Sequence, residues 1–503
     1  MSVLTVVIFL PLVVAAGLAA LPRLGARTVS GAWIAASAAD LVLAAVMWHG
    51  YGSGEQRGGI GYETRARWIP SLGAEYHVGV DGLSLPLIAM TALLFLVCAV
   101  YSPWRTGRGR PYAALFLALQ TVCTGLFAAL DLLLFFVFFD LSIVGMYFVI
   151  VGWGHGDRTR SALKFFLYTF LGSLALLLGF IGLYLGGGAR TFDMVDLTRE
   201  PPFAGAPGAS GLVLLAVGVG LAVKTPTVPF HTWLPPAHTD APAAGSAILA
   251  GVMLKMGTYG FARIAMPLLP GAWQRNAWVI VAVGVVSVLY GALVALAQEN
   301  LKRLVAYTSI NHMGYVVLGL GAAGVVSGDV QARRLAVSGA VTQMVSHGLI
   351  TGALFLLAGV LWDRAHAYDL GRFGGIAGVA PVFAGLTAVA AFASLGLPGL
   401  SGFIAEFQIL AGVIGVGTPG AVAAGVLSVG GIVITAALLL RMLHRAFLGA
   451  PGELTPLVGD VRSRELAAVA PLLALSAAIG VAPRWLLSLV EPAAAAIVSL
   501  VSR

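Results

Sequence analysis

Four ionisable side chains, Asp140, Lys224, Lys255 and Glu406, occur inside long apolar stretches of the sequence. A charge near the centre of a membrane segment costs ~2.5–3.5 kcal/mol on insertion scales, and such residues are rare unless they serve a function. Burial disfavours the charged form of each group, and a nearby group of opposite charge restores it. Small movements between these groups can therefore load and release protons, so the four side chains indicate a proton relay.

Histidine side chains could connect these charged groups. Gln343 and His347 lie four residues apart in a polar stripe on an otherwise apolar helical segment. His312 lies in a second segment of this kind, and His231 and His238 flank a proline-rich stretch. Because histidine titrates near neutral pH, we expect His312 and His347 to pass protons, and His231 and His238 are further candidates. A purely structural role for each buried histidine is the alternative.

Other ionisable residues fit the relay less directly. Asp40 interrupts the second apolar run, and the sequence offers no partner for it. A structural role explains Asp40 as well as a functional one does. Lys302 and Arg303 lie at the junction of two apolar runs, and we assign both to an inside loop.

The composition identifies the class of protein. Of 503 residues, 59% are apolar and 10% are charged, whereas soluble proteins average roughly 45–50% and about 25%. The apolar runs are long and unbroken, which favours helices over the alternating segments of a β-barrel. The 65 glycines suit helices that pack closely through small residues. The sequence therefore predicts an all-α polytopic membrane protein.

Turn residues and charges divide the chain into about fourteen predicted spans of roughly 20 residues each. The predicted spans are 3–21, 30–50, 83–103, 111–130, 131–153, 162–186, 210–234, 243–268, 276–297, 301–324, 335–362, 378–414, 421–448 and 466–490. We group them into an N-terminal part (1–110, spans 1–3), a first repeat (111–268, spans 4–8), a second repeat (276–448, spans 9–13) and a C-terminal span with its tail (449–503).

Two of the predicted spans contain prolines that should interrupt the helix. Pro226 and Pro229 follow Lys224, and Pro398 lies in a glycine-rich stretch before Glu406. Proline removes a backbone donor and clashes with the preceding turn. Broken helices at matching places in two halves point to an ion site. Because each repeat has an odd number of spans, we expect two inverted five-helix repeats, each with one broken helix.

Charge and cysteine content restrict the class further. The net charge is +8, but lysine and arginine concentrate in short loops, which indicates membrane topology rather than nucleic-acid binding. Their distribution places both termini on the outer face, and the first apolar run is predicted to be a retained span. Cys98 and Cys123 lie inside apolar runs, which excludes a disulfide framework, a cysteine-ligated zinc site and an iron–sulfur cluster held by this chain.

One long segment carries a family resemblance. Residues 223–246, VKTPTVPFHTWLPPAHTDAPAAGS, continue into 249–260, LAGVMLKMGTYG. This segment resembles the signature of the antiporter-like proton-channel subunits of respiratory complex I and of the Mrp cation/proton antiporters. Shorter matches at 80–84, 135–147, 309–314 and 397–407 extend the resemblance over the chain, and fourteen spans is the usual core of this family.

The resemblance implies a role for each buried ionisable residue. It makes Asp140 and Lys224 an ion pair beside the first break, Lys255 the central relay group and Glu406 the terminal group. His312 and His347 match family positions that lie between the central relay group and the terminal group. Within the family, a glutamate at position 406 is typical of the M or chain 4 type of complex I, whereas its siblings usually have lysine there.

The resemblance also implies cofactors and partners. It places no cofactor in this chain, because the flavin, the iron–sulfur clusters and the quinone site belong to partner subunits. The neighbours within the membrane arm would be the antiporter-like L and N types. The expected location is a bacterial-type inner (plasma) membrane.

Three departures from the family pattern stand out: Asp140 replaces the usual glutamate, Pro236 and Asp240 replace two acidic residues, and Asp40 has no counterpart.

Two other functions share this pattern. The nearest is an Mrp-type Na⁺/H⁺ antiporter subunit, or an antiporter-like subunit of a membrane-bound hydrogenase. In the other, the chain is a passive scaffold whose buried charges hold helices together. The identity of co-purifying subunits would distinguish complex I from the Mrp or hydrogenase alternative. Charge-neutralising variants that pump normally would support the passive scaffold.

Overall fold

The computed structural model describes residues 2–21, 23–53, 59–102, 109–188, 190–203 and 205–502. Within these ranges, eleven helices are long and apolar enough to cross a membrane, and three apolar helices are shorter, namely Leu85–Tyr101, Pro381–Ser394 and Ser401–Gly415. The prediction of a helical polytopic membrane protein is confirmed. The count of fourteen spans and the division into two inverted repeats remain predictions.

The helices of the first half are α1 Val3–Ala20, α2 Ala26–Ser53, α3 Leu85–Tyr101, α4 Gly109–Ala128, α5 Leu132–Trp153, α6 Arg158–Gly186, α7 Met194–Arg199, α8 Pro207–Lys224, α9 Leu234–Asp240, α10 Ala243–Ile248, α11 Leu254–Gly260, α12 Met266–Leu268 and α13 Pro270–Arg275. The helices of the second half are α14 Ala277–Leu296, α15 Leu301–Ala322, α16 Val330–Ala365, α17 Ile376–Val379, α18 Pro381–Ser394, α19 Ser401–Gly415, α20 Pro419–Phe447, α21 Ser463–Val481 and α22 Arg484–Val501.

Both proline-rich segments break their helices, as predicted. Helix α8 ends at Lys224, and no helix resumes until α9 begins at Leu234. Helix α18 ends at Ser394, and α19 begins at Ser401. In the second break, Gly396 and Gly399 have φ angles of 78° and 95°, a conformation that side chains with a Cβ rarely adopt. The breaks place Lys224 at a helix C-terminus and Glu406 in the second turn of a helix.

The C-terminal boundary of the last predicted span, 466–490, is wrong. Helix α21 ends at Val481, and a separate helix α22 begins at Arg484. Pro483 lies between them and disfavours helical backbone at Ala482, which has φ −134° and ψ 66°. The segment 484–501 therefore forms a second helix where the prediction had the end of a span and a tail.

A β-hairpin, absent from the prediction, lies between α2 and α3. Strand β1, Gly61–Ile69, pairs antiparallel with strand β2, Ala74–Val80. The connecting turn closes at Gly73, whose φ is 64°. The amide of Leu130 donates to the carbonyl oxygen of His77 at 2.9 Å, so the hairpin is fixed against the chain between α4 and α5.

Helix α16 forms the centre of the molecule. It is 36 residues long, and its most apolar stretch of 18 residues is entirely buried inside the protein. It packs against α15, α18, α19, α21 and α22. Its polar residues therefore face other helices rather than lipid, which explains how an apolar span retains His347 and Gln343.

Two π-helical turns interrupt the helical segment that carries Lys255. One covers Leu249–Met253 and the other covers Phe261–Ala265, on either side of α11. Such turns change the backbone hydrogen-bond pattern and recur at functional sites. They were not predicted from the sequence, and they determine where the Lys255 side chain can bond.

Candidate functional site

Glu406 and His312 are in direct contact in the interior. Oε1 of Glu406 lies 3.1 Å from Nδ1 of His312, and each side chain is only 4% exposed. The second ring nitrogen, Nε2, lies 3.1 Å from the hydroxyl of Ser394, the last residue of α18. The break between α18 and α19 therefore supplies both a hydroxyl and a carboxylate to one imidazole.

His312 also has a second partner at Nδ1. The side-chain amide of Gln343 lies 3.1 Å from this atom. A protonated Nδ1 can donate to Glu406, and an unprotonated Nδ1 can accept from the amide of Gln343. The two protonation states of His312 thus have different hydrogen-bond partners, which is the arrangement that a proton carrier needs.

Lys255 is buried completely and reaches two acceptors. Nζ lies 2.6 Å from Nδ1 of His347 and donates to the carbonyl oxygen of Ala250 at 2.5 Å. Ala250 belongs to the first π-helical turn, where the backbone hydrogen bonds join residues five apart instead of four. The turn therefore helps to orient the ammonium group towards α16.

The two histidines connect these contacts. The rings of His312 and His347 have centroids 5.4 Å apart with planes at 60°, and both residues line one narrow void with Glu406. Lys255, His347, His312 and Glu406 thus follow one another across α11, α16, α15 and α19. We call these four residues the relay row.

Lys224 is buried in a separate environment. Its Nζ donates to the hydroxyl of Ser142 at 2.9 Å and lies 4.8 Å from the centre of the Phe139 ring. Among the described residues, no carboxylate oxygen lies within 4.0 Å of Lys224 Nζ. The ion pair that the resemblance implies between Asp140 and Lys224 is therefore not formed in this structure.

The geometry of α5 explains the missing contact. At 3.6 residues per turn, Phe139 and Ser142 share a face, whereas Asp140 lies about 160° around the helix from Ser142. The Asp140 carboxyl lies beside the hydroxyl of Ser173 on α6 and interacts with Lys224 only through its charge. Its Oδ1 has no hydrogen-bond partner among the described residues.

The helices that carry Lys224 and Lys255, α8 and α11, approach each other closely, although no direct contact joins the two lysine side chains. A Cβ at Gly257 of α11 would lie 2.3 Å from Oγ1 of Thr225 and 2.7 Å from the carbonyl oxygen of Leu221. Only glycine lets α11 lie this close to the end of α8. The hydroxyl of Thr225, next to Lys224, has no hydrogen-bond partner in the described part of the chain.

The other two candidate histidines lie outside the relay row. His231 lies in the first break, and its ring packs against Tyr290 with centroids 4.9 Å apart. His238 of α9 stacks on Phe355 with centroids 4.6 Å apart, and neither ring nitrogen has a hydrogen-bond partner among the described residues. His238 is close enough to Lys255 to interact with its charge, whereas His231 contacts no residue of the relay row.

The assignment of Lys302 to a loop is wrong. Lys302 is fully buried in the first turn of α15. Its Nζ donates to the carbonyl oxygen of Ala241 at 2.5 Å and lies 5.1 Å from the centre of the Tyr368 ring. This burial has no signal in the sequence, because a lysine at the start of an apolar run is usually at the membrane surface.

Sequence reasoning also missed a row of serine hydroxyls next to α16. The hydroxyl of Ser401 lies 2.7 Å from that of Ser346 and 2.7 Å from that of Ser476. Ser401 is the first residue of α19, so the second break supplies this contact too. Serines are too common in membrane helices for their pairing across helices to be read from one sequence.

No group of three or more histidine, cysteine or acidic side chains in the described ranges could hold a metal ion. Cys98 and Cys123 are both buried and unpaired with each other. Independently of that, the contacts described above bring lysine, histidine, carboxyl and hydroxyl groups together, and groups of these types can exchange protons.

The chain is similar to known membrane proteins in sequence. Residues 129–435 match a family model described as NADH:quinone oxidoreductase/Mrp antiporter, TM. NADH-quinone oxidoreductase subunit M of Rhodobacter capsulatus is 37% identical over 99% of this chain and 96% of its own length.

Two solved structures share the fold. A chain of respiratory complex I from Thermus thermophilus superposes with a TM-score of 0.87, at 29% identity over 99% of both chains. A chain of the Mrp complex from Dietzia sp. superposes with a TM-score of 0.84, at 22% identity over 100% of both chains. The second likeness concerns the fold alone.

Proposed function

Because the chain belongs to the family of NADH:quinone oxidoreductase and Mrp antiporter membrane subunits, we propose that it is a membrane-arm subunit of a proton-pumping NADH-quinone oxidoreductase. In this proposal it translocates protons through buried lysine, carboxyl and histidine groups. The energy comes from redox chemistry in partner subunits. The observation that carries the proposal is the relay row, in which Lys255 and Glu406 are joined through two histidines.

The relay row supports a sequence of proton transfers. The Lys255 ammonium donates to Nδ1 of His347 over 2.6 Å, leaving a neutral amine and an imidazolium. The imidazolium passes its other proton to His312, whose ring centre is 5.4 Å away, through ring rotation or a bridging water. His312 then donates from Nδ1 to Glu406 over 3.1 Å, so that the carboxylate becomes a neutral acid.

The first half of the path supplies protons to Lys255. Lys224 is held by Ser142, and the charge of Asp140 acts on it from the α6 side of α5. A change in that charge alters the free energy of the Lys224 ammonium, so the proton moves past Thr225 towards Lys255. We propose one proton per catalytic cycle through two half-channels that meet at Lys255.

The proposal extends to location, partners and cofactors. The chain lies in a bacterial inner (plasma) membrane with both termini on the outer face. Its neighbours in the membrane arm are antiporter-like subunits of the L and N types. Flavin, iron–sulfur clusters and quinone are held by partner subunits. The two inverted repeats, 111–268 and 276–448, form the two half-channels, and 1–110 and 449–503 flank them.

The test compares Lys224→Met with Lys164→Met in the whole complex, with NADH oxidation and proton uptake measured in membrane vesicles. Lys164 is an exposed lysine of α6 and serves as the matched control. We expect Lys224→Met to lower pumping and coupled NADH oxidation by about tenfold or more, since a positioned proton-transfer group contributes ~10²–10⁴ in rate. Near-normal rates in an assembled complex would reject the relay.

An Mrp-type antiporter subunit is the second candidate, because the matching family model covers both classes and the Dietzia chain has the same fold. The two candidates differ in what the chain assembles with. Co-purification of flavin- and iron–sulfur-containing subunits supports the oxidoreductase. Their absence together with Na⁺-dependent proton exchange supports the antiporter.

A further inference from the structure

Asp40 of α2 is a buried carboxyl group that the relay does not use. Its side chain is 0% exposed. One oxygen, Oδ2, accepts from the side-chain amide of Gln120 on α4 at 2.8 Å, and the other, Oδ1, has no hydrogen-bond partner among the described residues. The carboxyl thus lies between two membrane helices with a single neutral donor.

The orientation of Gln120 is fixed by a second contact. The hydroxyl of Ser37 donates to Oε1 of Gln120 at 2.8 Å. Because Ser37 occupies the amide oxygen, the amide nitrogen points at Asp40. Ser37 and Asp40 are three residues apart on α2 and therefore share a face. Ser37 and Gln120 together therefore hold the Asp40 carboxyl group in one defined hydrogen-bonded position.

Among the described residues, no cation compensates a negative charge at this position. In the described part of the chain, Asp40 takes part in no ion pair, and Gln120 is the only side chain that acts on it electrostatically. An ionised carboxylate buried without a cation costs several kcal/mol, whereas the neutral acid avoids most of this cost. Burial at this position therefore favours the neutral acid form of Asp40.

Helix α4 connects Asp40 with the surroundings of Lys224. Directly after Gln120 and one turn beyond it, the buried hydroxyls of Thr121 and Thr124 have no hydrogen-bond partner among the described residues. Cys123, between them, is close enough to Lys224 to interact with its charge. Polar groups buried without partners are unusual, and these two share α4 with Gln120, which contacts Asp40, and with Cys123, which lies near Lys224.

We propose that Asp40 is a proton-storage site on a side branch of the relay, reached from Lys224 along α4. The transfer converts a Lys224 ammonium and an Asp40 carboxylate into a neutral amine and a neutral carboxylic acid, and the reverse step returns the proton. Net charge is conserved in the transfer. The proposal rests on the proton-transfer function proposed above and adds a group that the family pattern does not contain.

The test is difference infrared spectroscopy of the whole complex with and without NADH, in wild type, Asp40→Asn and Ser37→Ala. We expect the wild-type spectrum to contain a protonated-carboxyl band that Asp40→Asn loses. Ser37→Ala keeps the carboxyl but changes the hydrogen bond to Gln120, so its band should shift. The shift also tests the proposal if Asp40→Asn does not assemble.

A carboxyl region that is the same in all three proteins would overturn the storage site and leave Asp40 a structural acid. Lys224→Met, measured for pumping in parallel, separates the two proposals. If Lys224→Met abolishes pumping and the spectrum is unchanged in Asp40→Asn, only the storage site fails. If Lys224→Met pumps normally, the relay itself fails.

Discussion

The ammonium group of Lys255 lies 2.6 Å from Nδ1 of His347, although the two residues are separated by 92 positions in the chain. When Lys255 carries an ammonium group, which has only donors, Nδ1 of His347 accepts and the ring proton is on Nε2. Nε2 has no hydrogen-bond partner among the described residues and is the atom from which a proton can leave. A proton taken up at Nδ1 from Lys255 can therefore leave the ring at Nε2, on the other side of the imidazole.

His347→Gln tests this contact. Glutamine can still accept from Lys255 but cannot carry a proton onwards, so we expect proton pumping to fall by about tenfold or more while the complex still assembles. Thr351→Val, one turn further along α16 and also buried, is the control for a polar change on the same face. Pumping at the wild-type rate in His347→Gln would show that protons bypass α16.

Gly257→Ala tests the close approach of α8 and α11. The added Cβ would lie 2.3 Å from Oγ1 of Thr225 and 2.7 Å from the carbonyl oxygen of Leu221, so the helices must separate. Overpacking of this kind costs ~1–3 kcal/mol. We expect a lower yield of assembled complex and a lower melting temperature.

Gly218→Ala in α8 is the matched control, because its Cβ would meet nothing within 4 Å. It should leave stability unchanged or raise it slightly, since alanine favours helix by up to about 1 kcal/mol over glycine. Equal effects of the two substitutions would show that the close approach at Gly257 contributes nothing.

The contact of the hairpin with residues near α7 should depend on pH. Nδ1 of His77 lies 2.5 Å from Asp193, and Nε2 lies 2.8 Å from Glu63. Burial lowers the pKa of His77, but the hydrogen bonds and charges of Asp193 and Glu63 outweigh burial, so the pKa lies above the ordinary value. The stabilisation is therefore complete below about pH 6.5 and is lost as the pH rises through the raised pKa.

Hydrogen exchange of the β2 amides measures this effect. We expect protection, corrected for intrinsic exchange, to fall in wild type as the pH rises from neutral to alkaline values, and His77→Gln to remove this dependence. Burial raises the pKa of Asp193, but the contact with His77 lowers it overall, so its own contribution is lost only at acid pH. The same alkaline loss in His77→Gln would assign it to another group.

The sequence predicted the features that depend on local chemistry. Long apolar runs gave the spans, Pro226 and Pro398 gave the two breaks, and the spacing of Gln343 and His347 gave the polar face of α16. Each of these follows from backbone hydrogen bonding or from helical periodicity. They were sufficient to place Lys224 and Glu406 beside the breaks.

The features that depend on packing between distant segments could not be read from the sequence. The π-helical turns on either side of Lys255 have no marker residue, and they orient the lysine towards Ala250. The burial of Lys302 depends on Ala241 and Tyr368, which come from elsewhere in the chain. The face of α5 that meets Lys224 was likewise set by tertiary packing.

The charged side chains of the hairpin explain why it was missed. Strand β1 reads GYETRARWI and is largely exposed, so it lacks the alternation of apolar and polar residues that marks a half-buried strand. Its pairing with β2 is supported instead by contacts with loops that come much later in the sequence, including that between His77 and Asp193.

The number of protons translocated per NADH oxidised, compared between Glu406→Gln and Glu453→Gln, tests the relay row most directly. Glu453 is an exposed glutamate paired with Arg372, so its neutralisation removes the same charge without touching the interior. The account predicts that Glu406→Gln lowers this ratio and that Glu453→Gln leaves it at the wild-type value. An unchanged ratio in an assembled Glu406→Gln complex would contradict the claim that protons leave through His312 and Glu406.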